Sequence, residues 1–513
     1  MERDDLHREV YGTQGKLTSC FEVISDMERD DLHREVYRTQ GKLTSCFGCD
    51  AMGRKAWQYA SMLPADKLSQ VHNTGINTSL LVEHAYNPIH RRYQYDPAGE
   101  LVRTLDKLRG EIKYEYEANG QLRSRDTGSL VGSEEFRYDA AANRLDFNAR
   151  QFDKVKDNRI KQWRDQEYRY DPWGNLIEKR SGHSKLQSFS YDCENRLVRA
   201  ETLVNGKLES TGHYRYDSLG RRIAKQAEIN GEVEQKRFLW QGLRMLREKT
   251  PGQSILYLYE PGSYAALARV DQVEGEEQKV YYFHTDQIGT PLELTDSDGK
   301  IVWQATYRSW GSIEQLTVDE VEQNLRFQGQ YFDSETGLHY NTFRFYDAEV
   351  GRFLSQDPIG LAGGINIYLY AANPTLEIDP LGWCSTKLGQ NMGHRTGDGM
   401  ANHHLIPEQL MNKPIFGSMF KRLKGLGFDG DGASNGIFLP DKKNVQYIDL
   451  PGHWTSHDAY TTAVGKKLLE LNKLAPQLSD TQLILGIKNI QDWARSGLQN
   501  GLFKIDPVSG RLL

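Results

Sequence analysis

The amino-acid sequence predicts a mainly β body followed by a small domain of mixed helix and strand. Of 513 residues, 27 are Tyr, 18 Phe, 9 Trp and 47 Gly, a combination that favours many short strands joined by glycine turns. A Tyr-Asp signature recurs through the middle of the chain, and after Trp383 it gives way to helical periodicity. This change of pattern predicts a domain boundary near residue 383.

The repeat pairs Tyr with Asp or Glu, places Gly or Asn three or four residues after the acid, and continues with an aliphatic residue. Its six copies begin at Tyr95, Tyr116, Tyr138, Tyr170, Tyr191 and Tyr216. Each copy predicts a β-hairpin in which the acid starts the turn and the Gly or Asn adopts a positive φ. These turn residues are Gly99, Gly120, Asn143, Gly174, Asn195 and Gly220. Because a single hairpin cannot bury its aromatic face, consecutive hairpins are expected to stack into one continuous sheet.

The first 26 residues are expected to lie outside the fold. The segment MERDDLHREVYGTQGKLTSCF at 1–21 returns at 27–47 with Gly12 replaced by Arg38. So close a duplication indicates a recent accident at a gene boundary, and the extra copy has no evident partner in the fold.

Composition excludes several classes of protein. No apolar run approaches the ~18 residues of a membrane span, and the first residues lack the apolar core of a signal peptide. The five cysteines show neither metal-ligand spacing nor a disulfide framework, which favours synthesis in a reducing cytoplasm. The net charge is −6, yet residues 384–513 carry 15 Lys and Arg against 11 Asp and Glu. This small surplus permits a polyanionic partner there without indicating one.

The repeats resemble the YD repeats of the Rhs and Tc-toxin C family. The resemblance continues through YYFHTDQIGTPLELTD (281–296), RFQGQYFDSETGLHYNTFRFYDAEVGRFLSQDPIGL (326–361) and NIYLYAANPTLEIDPLGW (366–383). It implies a sheet of β-hairpins that spirals into a hollow cocoon around a toxin. On this basis residues 27–325 are expected to form the YD-repeat shell, and residues 326–383 a self-cleavage segment.

The self-cleavage segment contains two Asp-Pro steps, at Asp357 and Asp379. Taken alone, such steps are more often turn formers. In the family they act as an intramolecular pair of the aspartyl-protease type, and two carboxylates that share a proton can serve as base and acid around one peptide bond. The resemblance implies that Arg344 steadies one ionised carboxylate. It also implies a cut after Trp383, which stands where the family has Leu.

Histidines are the chemically informative residues of 384–513. His403 and His404 are adjacent in ANHHLIPEQL, and His453 and His457 are spaced as His-x3-His in PGHWTSHDAY. Positions i and i+4 of a helix share a face and can bind one ion. Adjacent strand residues normally point to opposite faces, so joint action of the first pair on one phosphate requires an irregular pleat. Taken alone, either pair is more often an ordinary surface feature than a metal site.

The order His-His, Asn435 in SNGIFLP, then His-x3-His resembles the ββα-metal fold of HNH endonucleases and, within it, the AHH branch. The resemblance implies that His404 is the general base and that Asn435 fixes the finger loop. The implied metal ligands are His403, His453 and His457. They would hold one divalent ion, Mg²⁺ foremost and Zn²⁺, Ni²⁺ or Mn²⁺ as alternatives, which would stabilise charge on the phosphate.

These motifs together predict the C-terminal part of an Rhs toxin whose tip, residues 384–513, is a metal-dependent DNA endonuclease. The resemblance implies synthesis in a bacterial cytoplasm, export by a contact-dependent injector of the type VI kind with spike and chaperone proteins, and action on DNA in a target cell. A cognate immunity protein is a further implied partner. Two alternatives stay open: an RNase delivered in the same way, and a non-enzymatic shell for adhesion or packaging.

Overall fold

The fold consists of a large β body and a smaller domain with helices. The computed structural model describes residues 25, 27–29, 35–50, 52–63, 87–146, 155–260, 263–360, 365–382, 400–411, 413–426, 428, 430, 435–440, 451, 458–499, 502–503, 505 and 512. Within them are six sheets, of which one follows residue 400. None of the helices in these ranges has the length and apolar character needed to cross a membrane.

A nine-stranded antiparallel sheet forms the first part of the body, and each strand pairs with the next in chain order. Its strands are β1 (Met27–Arg29), β2 (Glu35–Gln40), β3 (Leu43–Cys49), β4 (Lys55–Ser61), β5 (Ile89–Tyr95), β6 (Leu101–Asp106), β7 (Gly110–Tyr116), β8 (Leu122–Asp126) and β9 (Glu134–Glu135). The second copy of the duplicated segment thus supplies β1 to β3. The first copy, residues 1–21, lies outside the described residues, so its dispensability stays a prediction.

Two short hairpins and a fifteen-stranded antiparallel sheet follow. The hairpins are β10 (Arg137–Tyr138) with β11 (Arg144–Leu145), and β12 (Val155–Lys156) with β13 (Arg159–Ile160). The strands of the sheet, again in chain order, are β14 (Gln162–Trp163), β15 (Gln166–Tyr170), β16 (Leu176–Ser181), β17 (Lys185–Tyr191), β18 (Leu197–Val204), β19 (Lys207–Tyr216), β20 (Arg222–Ile229), β21 (Glu232–Gln241), β22 (Arg244–Thr250), β23 (Gln253–Tyr259), β24 (Ala266–Val273), β25 (Lys279–Thr285), β26 (Pro291–Thr295), β27 (Ile301–Tyr307) and β28 (Ile313–Asp319).

Stacked hairpins are therefore confirmed, but the expectation of one continuous sheet is wrong. The described strands divide into two large sheets, and the division falls at the short hairpins between Tyr138 and Tyr170. This is the widest interval between successive repeats. Each repeat supplies the turn that brings the next strand into the ladder of backbone hydrogen bonds. The ladder is therefore interrupted where a repeat is missing.

The repeat turns have the predicted positive φ in five of six copies, at Gly99, Gly120, Gly174, Asn195 and Gly220. In the Tyr138 copy the positive φ falls on Ala142 instead of Asn143. The reason is that all copies place this conformation on the third residue after the acid, here Asp139. Asn143 instead donates its side-chain amide to Asp139 and Asn158.

Buried charges in the middle of the first sheet, and a backbone contact near its start, join that sheet to the later strands of the second. Arg91 on β5 contacts Asp106 at 2.8 Å and is hydrogen bonded to Glu293 on β26. Arg109 also contacts Glu293, at 2.5 Å, and Lys42 donates its backbone N–H to a carbonyl in the turn after β26. The β body is therefore closed by contacts between residues about 200 positions apart.

A four-stranded sheet packs on the aromatic face of the fifteen-stranded sheet. Its strands are β29 (Tyr331–Asp333), β30 (Leu338–Asn341), β31 (Arg344–Asp347) and β32 (Arg352–Phe353). Tyr340 and Phe345 belong to the same buried cluster as Tyr214 of β19. Beside them, Asp333 accepts hydrogen bonds from Arg222 at 2.5 Å and Lys225 at 3.0 Å. The end of the β body is thus anchored by both apolar packing and buried ion pairs.

The C-terminal domain has a core of its own. Its elements are β33 (Met400–His404), α1 (Glu408–Met411), α2 (Gly417–Gly425), β34 (Gly436–Pro440), α3 (Asp458–Leu474) and α4 (Asp480–Gln499), with 3₁₀ turns at Pro414–Phe416 and Ala475–Gln477. Ser479 and Gln482 exchange the backbone and side-chain hydrogen bonds of a capping box at the start of α4. On α3, Leu468 and Leu471 are buried, whereas Leu469 is 38% exposed.

Candidate functional sites

Two buried carboxylates contact one guanidinium at the end of the β body. Atom Nη2 of Arg344 lies 3.2 Å from an oxygen of Asp357 and 3.3 Å from an oxygen of Asp379. All three side chains are almost wholly buried. The structure therefore brings together the two acids and the basic residue that the sequence singles out.

Backbone contacts orient both acids. Asp357 lies in the turn after β32, where its N–H donates to the carbonyl of Ile367 at 2.8 Å. The carbonyl of Asp379 accepts a hydrogen bond from Asn341 Nδ2 at 2.8 Å. Each carboxylate thus sits on backbone that is itself fixed, so the distance between the acids is held by the surrounding sheet.

Arg344 is held on three further sides. Its Nη1 donates to the carbonyl of Ile367 at 3.1 Å and its Nε to the carbonyl of Gly382 at 2.5 Å. The guanidinium also lies over the ring of Phe353, 3.6 Å from its centroid. The geometry therefore places both carboxylates against one fixed cation. Trp383 and Cys384 lie outside the described residues.

The His-His pair lies at the end of β33, beside β34. His403 pairs with Ile437 and His404 with Gly436 in a ladder without a register shift. His403 is buried with its ring centroid 4.7 Å from that of Tyr460 on α3, whereas His404 is partly exposed. The ladder is regular through His404, where β33 ends, so the irregular pleat is not seen within the strand and joint action of the two histidines on one phosphate stays a prediction.

Asn435 fixes the connection between the two strands. Its side chain is fully buried and accepts hydrogen bonds from Ile406 N–H at 3.0 Å and Gln491 Nε2 at 3.2 Å. Its Nδ2 donates to the carbonyls of Ile406 at 3.1 Å and Gly430 at 2.7 Å. The oxygen and the nitrogen of this amide both form hydrogen bonds with other residues of the protein, so Asn435 supports the His-His strand structurally.

The described residues fit the expected metal site in part. Imidazole nitrogens suit divalent transition ions, and the ring of His403 lies against Tyr460. Tyr460 lies in the first turn of α3 and follows His457 by three positions in the sequence. His453 and His457 lie outside the described residues. Within the described part of the chain, no group of three or more His, Cys, Asp or Glu side chains is placed to hold an ion.

Sequence reasoning did not single out Asn341, Phe353 or Gln491. Asn341 and Phe353 flank the carboxylate pair from β30 and β32, and their roles depend on contacts across strands. Gln491 donates to Asn435 from the buried face of α4. A signal for Gln491 was available, because a polar residue beside Ile490 interrupts the apolar stripe of that helix and requires a buried partner.

Two family models match the chain. The Teneurin YD-shell family matches residues 99–363, about half of the chain. A nuclease family of the HNH/ENDO VII superfamily with conserved AHH matches residues 387–492. The two matched regions contain the carboxylate Asp357 and the His-His strand respectively.

Several curated relatives are similar over much of the chain. Double-stranded DNA deaminase toxin A of Burkholderia cenocepacia is 42% identical over 74% of this chain and 25% of its own length. Toxin protein Tse5 of Pseudomonas aeruginosa is 34% identical over 57% of this chain and 27% of its own length. Probable deoxyribonuclease RhsB of Dickeya dadantii is 31% identical over 58% of this chain and 21% of its own length. The chain thus spans about a quarter of the length of these relatives.

Solved structures of toxin complexes are also similar to the chain. The crystal structure of TcdB2-TccC3-TEV aligns with a TM-score of 0.47 at 19% identity, over 70% of this chain and 19% of that one. The Tc holotoxin pore of Photorhabdus luminescens aligns with a TM-score of 0.48 at 17% identity, over 71% of this chain and 19% of that one.

Proposed function

Because the chain belongs to the YD-shell family and its C-terminal region matches AHH nucleases, we propose that it is the end of an Rhs toxin whose tip, residues 384–513, is a metal-dependent DNA endonuclease. The observation that carries the proposal is the ββα order of β33, β34 and α3 within the AHH match, with the His-His pair at the end of the first strand. This is the arrangement in which HNH enzymes bind a phosphodiester.

His404 is the proposed general base. It is the partly exposed member of the His-His pair, which is the member better placed to meet a water molecule. By taking a proton from that water, His404 would generate the nucleophile that attacks phosphorus. Asn435 is a positioning residue for this step. Its hydrogen bonds to Ile406 fix the backbone that follows the two histidines.

His403, His453 and His457 are the proposed ligands of one divalent ion. When bound, such an ion stabilises negative charge on the phosphate and on the leaving 3′ oxygen. Imidazole donors favour Zn²⁺ or Ni²⁺ more than Mg²⁺, while Mg²⁺ is the expectation from the family resemblance. Activity of EDTA-treated protein after addition of Mg²⁺, Mn²⁺, Ni²⁺ or Zn²⁺ separately decides among them.

DNA is the proposed substrate and RNA the alternative. A site that activates water has no need of a 2′-hydroxyl nucleophile, so the chemistry permits DNA cleavage. The name of the Dickeya dadantii relative, a probable deoxyribonuclease, agrees with this choice. The same site could hydrolyse RNA, and only a direct comparison of the two substrates separates them.

The test is expression of residues 384–513 in a bacterium, as wild type, His404→Ala and the control His394→Ala. We expect wild type and control to kill the cell and fragment its chromosomal DNA, and His404→Ala to be harmless. Intact DNA with fragmented rRNA or tRNA would overturn the DNA assignment. Survival of all three strains would favour the non-enzymatic shell.

The carboxylate pair is proposed to cut the chain after Trp383. The contact of both acids with one nitrogen of Arg344 supports this role, because it holds the two carboxylates of the proposed acid–base pair beside each other. We expect the purified protein to consist of two fragments, the smaller of about 130 residues, and Asp379→Asn to remain intact. An uncut wild-type protein contradicts self-cleavage.

Delivery and protection are proposed from the family alone. Synthesis in a bacterial cytoplasm, export by a type VI injector with spike and chaperone proteins, action in the target cytoplasm and a cognate immunity protein all agree with relatives named as toxins. Survival of cells that express residues 384–513 together with a candidate immunity protein, beside cells that express residues 384–513 alone, tests this partner.

A further inference from the structure

Four consecutive residues between β30 and β31 hold four consecutive backbone carbonyls at the end of the β body. Asn341 Nδ2 donates to Asp379 O at 2.8 Å, Thr342 Oγ1 to Pro380 O at 3.5 Å, Phe343 N–H to Leu381 O at 3.2 Å, and Arg344 Nε to Gly382 O at 2.5 Å. Each donor reaches the carbonyl that lies 38 positions further along the chain. We call residues 341–344 the carbonyl clamp.

Close backbone packing prevents residues 380–382 from sliding in the clamp. Gly382 has a φ of +66°, and a Cβ atom at this position would lie 2.6 Å from the carbonyl oxygen of Asn341. On the other side, a Cβ atom on Gly329 would lie 1.9 Å from the carbonyl oxygen of Pro380. Since both contacts are with backbone atoms, the segment has one register.

The clamp and the carboxylate pair share a residue. Arg344 contacts both acids through Nη2 and the carbonyl of Gly382 through Nε. The same guanidinium therefore determines where the acids lie and where the backbone before residue 383 lies. A change in the register of the chain at Gly382 would move a different peptide bond toward the acids.

Resting on the proposed self-cleavage, we propose that the carbonyl clamp selects the bond that is cut. The cut falls after the residue that follows Gly382, whatever its side chain, because the clamp binds carbonyl oxygens and these are the same in every residue. This accounts for Trp383 at a position where the family has Leu.

The reaction at the selected bond is a hydrolysis. The oxygen of a water molecule bonds to the carbonyl carbon of residue 383, and the bond from that carbon to the nitrogen of the next residue breaks. One carboxylate takes a proton from the water, and the other carboxyl group gives a proton to the departing nitrogen. The products are a new C-terminal carboxylate and a new N-terminal amine.

Insertion of one alanine between Gly382 and Trp383 in the full chain tests the clamp. Selection by register predicts a cut after the inserted alanine, so the smaller fragment gains the mass of one tryptophan residue. Trp383→Ala is expected to be cut at the wild-type position. Intact-mass spectrometry of the two fragments gives the cleavage position in each variant. If residues 341–344 only stabilised the fold, the cleavage position would not follow the residue after Gly382.

The matched control is an alanine inserted between Cys384 and Ser385, which should leave the cut after Trp383 and add one alanine to the smaller fragment. A cut after Trp383 in the first insertion variant would overturn the clamp while leaving self-cleavage intact. The clamp is also overturned if the chain with alanine between Gly382 and Trp383 stays whole while the control is cut. Cleavage would then depend on the side chain that follows Gly382. If the wild-type chain itself stays whole, self-cleavage fails and the clamp fails with it.

Discussion

At the scale of single residues, burial in the β body lowers the pKa of histidine side chains. Burial, with Arg91 nearby, lowers the pKa of His284 to about 3, and burial with Arg92 lowers the pKa of His90 to about 4. His284 also contacts Thr295 Oγ1 at 3.0 Å on the neighbouring strand. These rings are neutral in the folded protein at pH values where an unfolded chain would protonate them.

Acid is therefore expected to destabilise the β body below neutral pH. The unfolded chain binds a proton at His284 below a pH of about 6.5, whereas the folded chain does not until about pH 3, so stability falls as the pH falls through this window. The loss between pH 7 and pH 5 is on the order of 2 kcal/mol for this residue. Denaturant unfolding at both pH values should show a smaller loss for His284→Asn, and the exposed His183→Asn serves as control. An equal loss in all three proteins contradicts the prediction.

Asn435 is the residue on which the geometry of the His-His strand most depends. Asn435→Ala removes the partners of Ile406 and Gln491 inside the core, and leaving buried groups without hydrogen bonds costs about 1–3 kcal/mol each. We expect a lowered unfolding temperature and reduced nuclease activity together. The control is Asn472→Ala, which removes a single, more exposed hydrogen bond to Ile415. Full activity and stability of Asn435→Ala would show that the finger loop does not need this amide.

At the scale of strands, the tyrosine of four of the six repeats has a second role beside apolar packing. Tyr116, Tyr138, Tyr191 and Tyr216 donate their hydroxyls to the carbonyls of Leu101, Leu122, Leu176 and Leu197 at distances of 2.7, 2.7, 2.8 and 2.6 Å. Each acceptor is the aliphatic residue of an earlier repeat or an equivalent strand start. The Tyr and the aliphatic residue of the signature are therefore joined between neighbouring hairpins, which gives the repeat a physical reason.

Tyr191→Phe isolates this hydrogen bond, because it keeps the ring and removes the hydroxyl. We expect a loss of about 1 kcal/mol in the free energy of unfolding, the net value of one buried hydrogen bond. Tyr281→Phe is the matched control, since the Tyr281 ring also packs against the core, beside Arg269, but within the described chain its hydroxyl donates no hydrogen bond. Equal stability of the two variants would show that the tyrosines act through packing alone.

At the scale of the whole molecule, the second copy of the duplicated segment is part of the closure of the β body. Arg38 on β2 contacts Glu260 at 2.9 Å, and Gln40 donates to the carbonyl of Phe283 on β25 at 3.0 Å. Position 38 is also where the two copies differ, since the first copy has Gly12. A glycine offers no side chain for this ion pair, so the second copy carries the contacts between the sheets.

Deletion of residues 1–26 is accordingly expected to leave the yield of folded protein and the unfolding midpoint unchanged. Deletion of residues 1–47 is the control, because it removes β1, β2 and most of β3 together with Arg38 and Gln40. We expect that deletion to lower the soluble yield strongly. A loss of folding on removal of 1–26 alone would show that the first copy has a place in the fold.

The sequence by itself determined the features that depend on neighbours in the chain. In five of the six repeats, the turn residue with a positive φ follows from an acid and the Gly or Asn three places on. The Asp pair with Arg344 and the His-His pair with Asn435 were also found in advance, but only because their motifs resemble known families.

Only the tertiary structure decided what depends on residues far apart in the chain. The division into two sheets, the contact of Arg91 with Glu293 and the clamp between 341–344 and 379–382 join segments without a shared local pattern. The side to which His403 points is a further example, since the packing of Tyr460 against it settles which face of β33 is buried. The physical reason is that turns and caps are stabilised by hydrogen bonds within a few residues, whereas burial depends on which surfaces meet after the whole chain has closed.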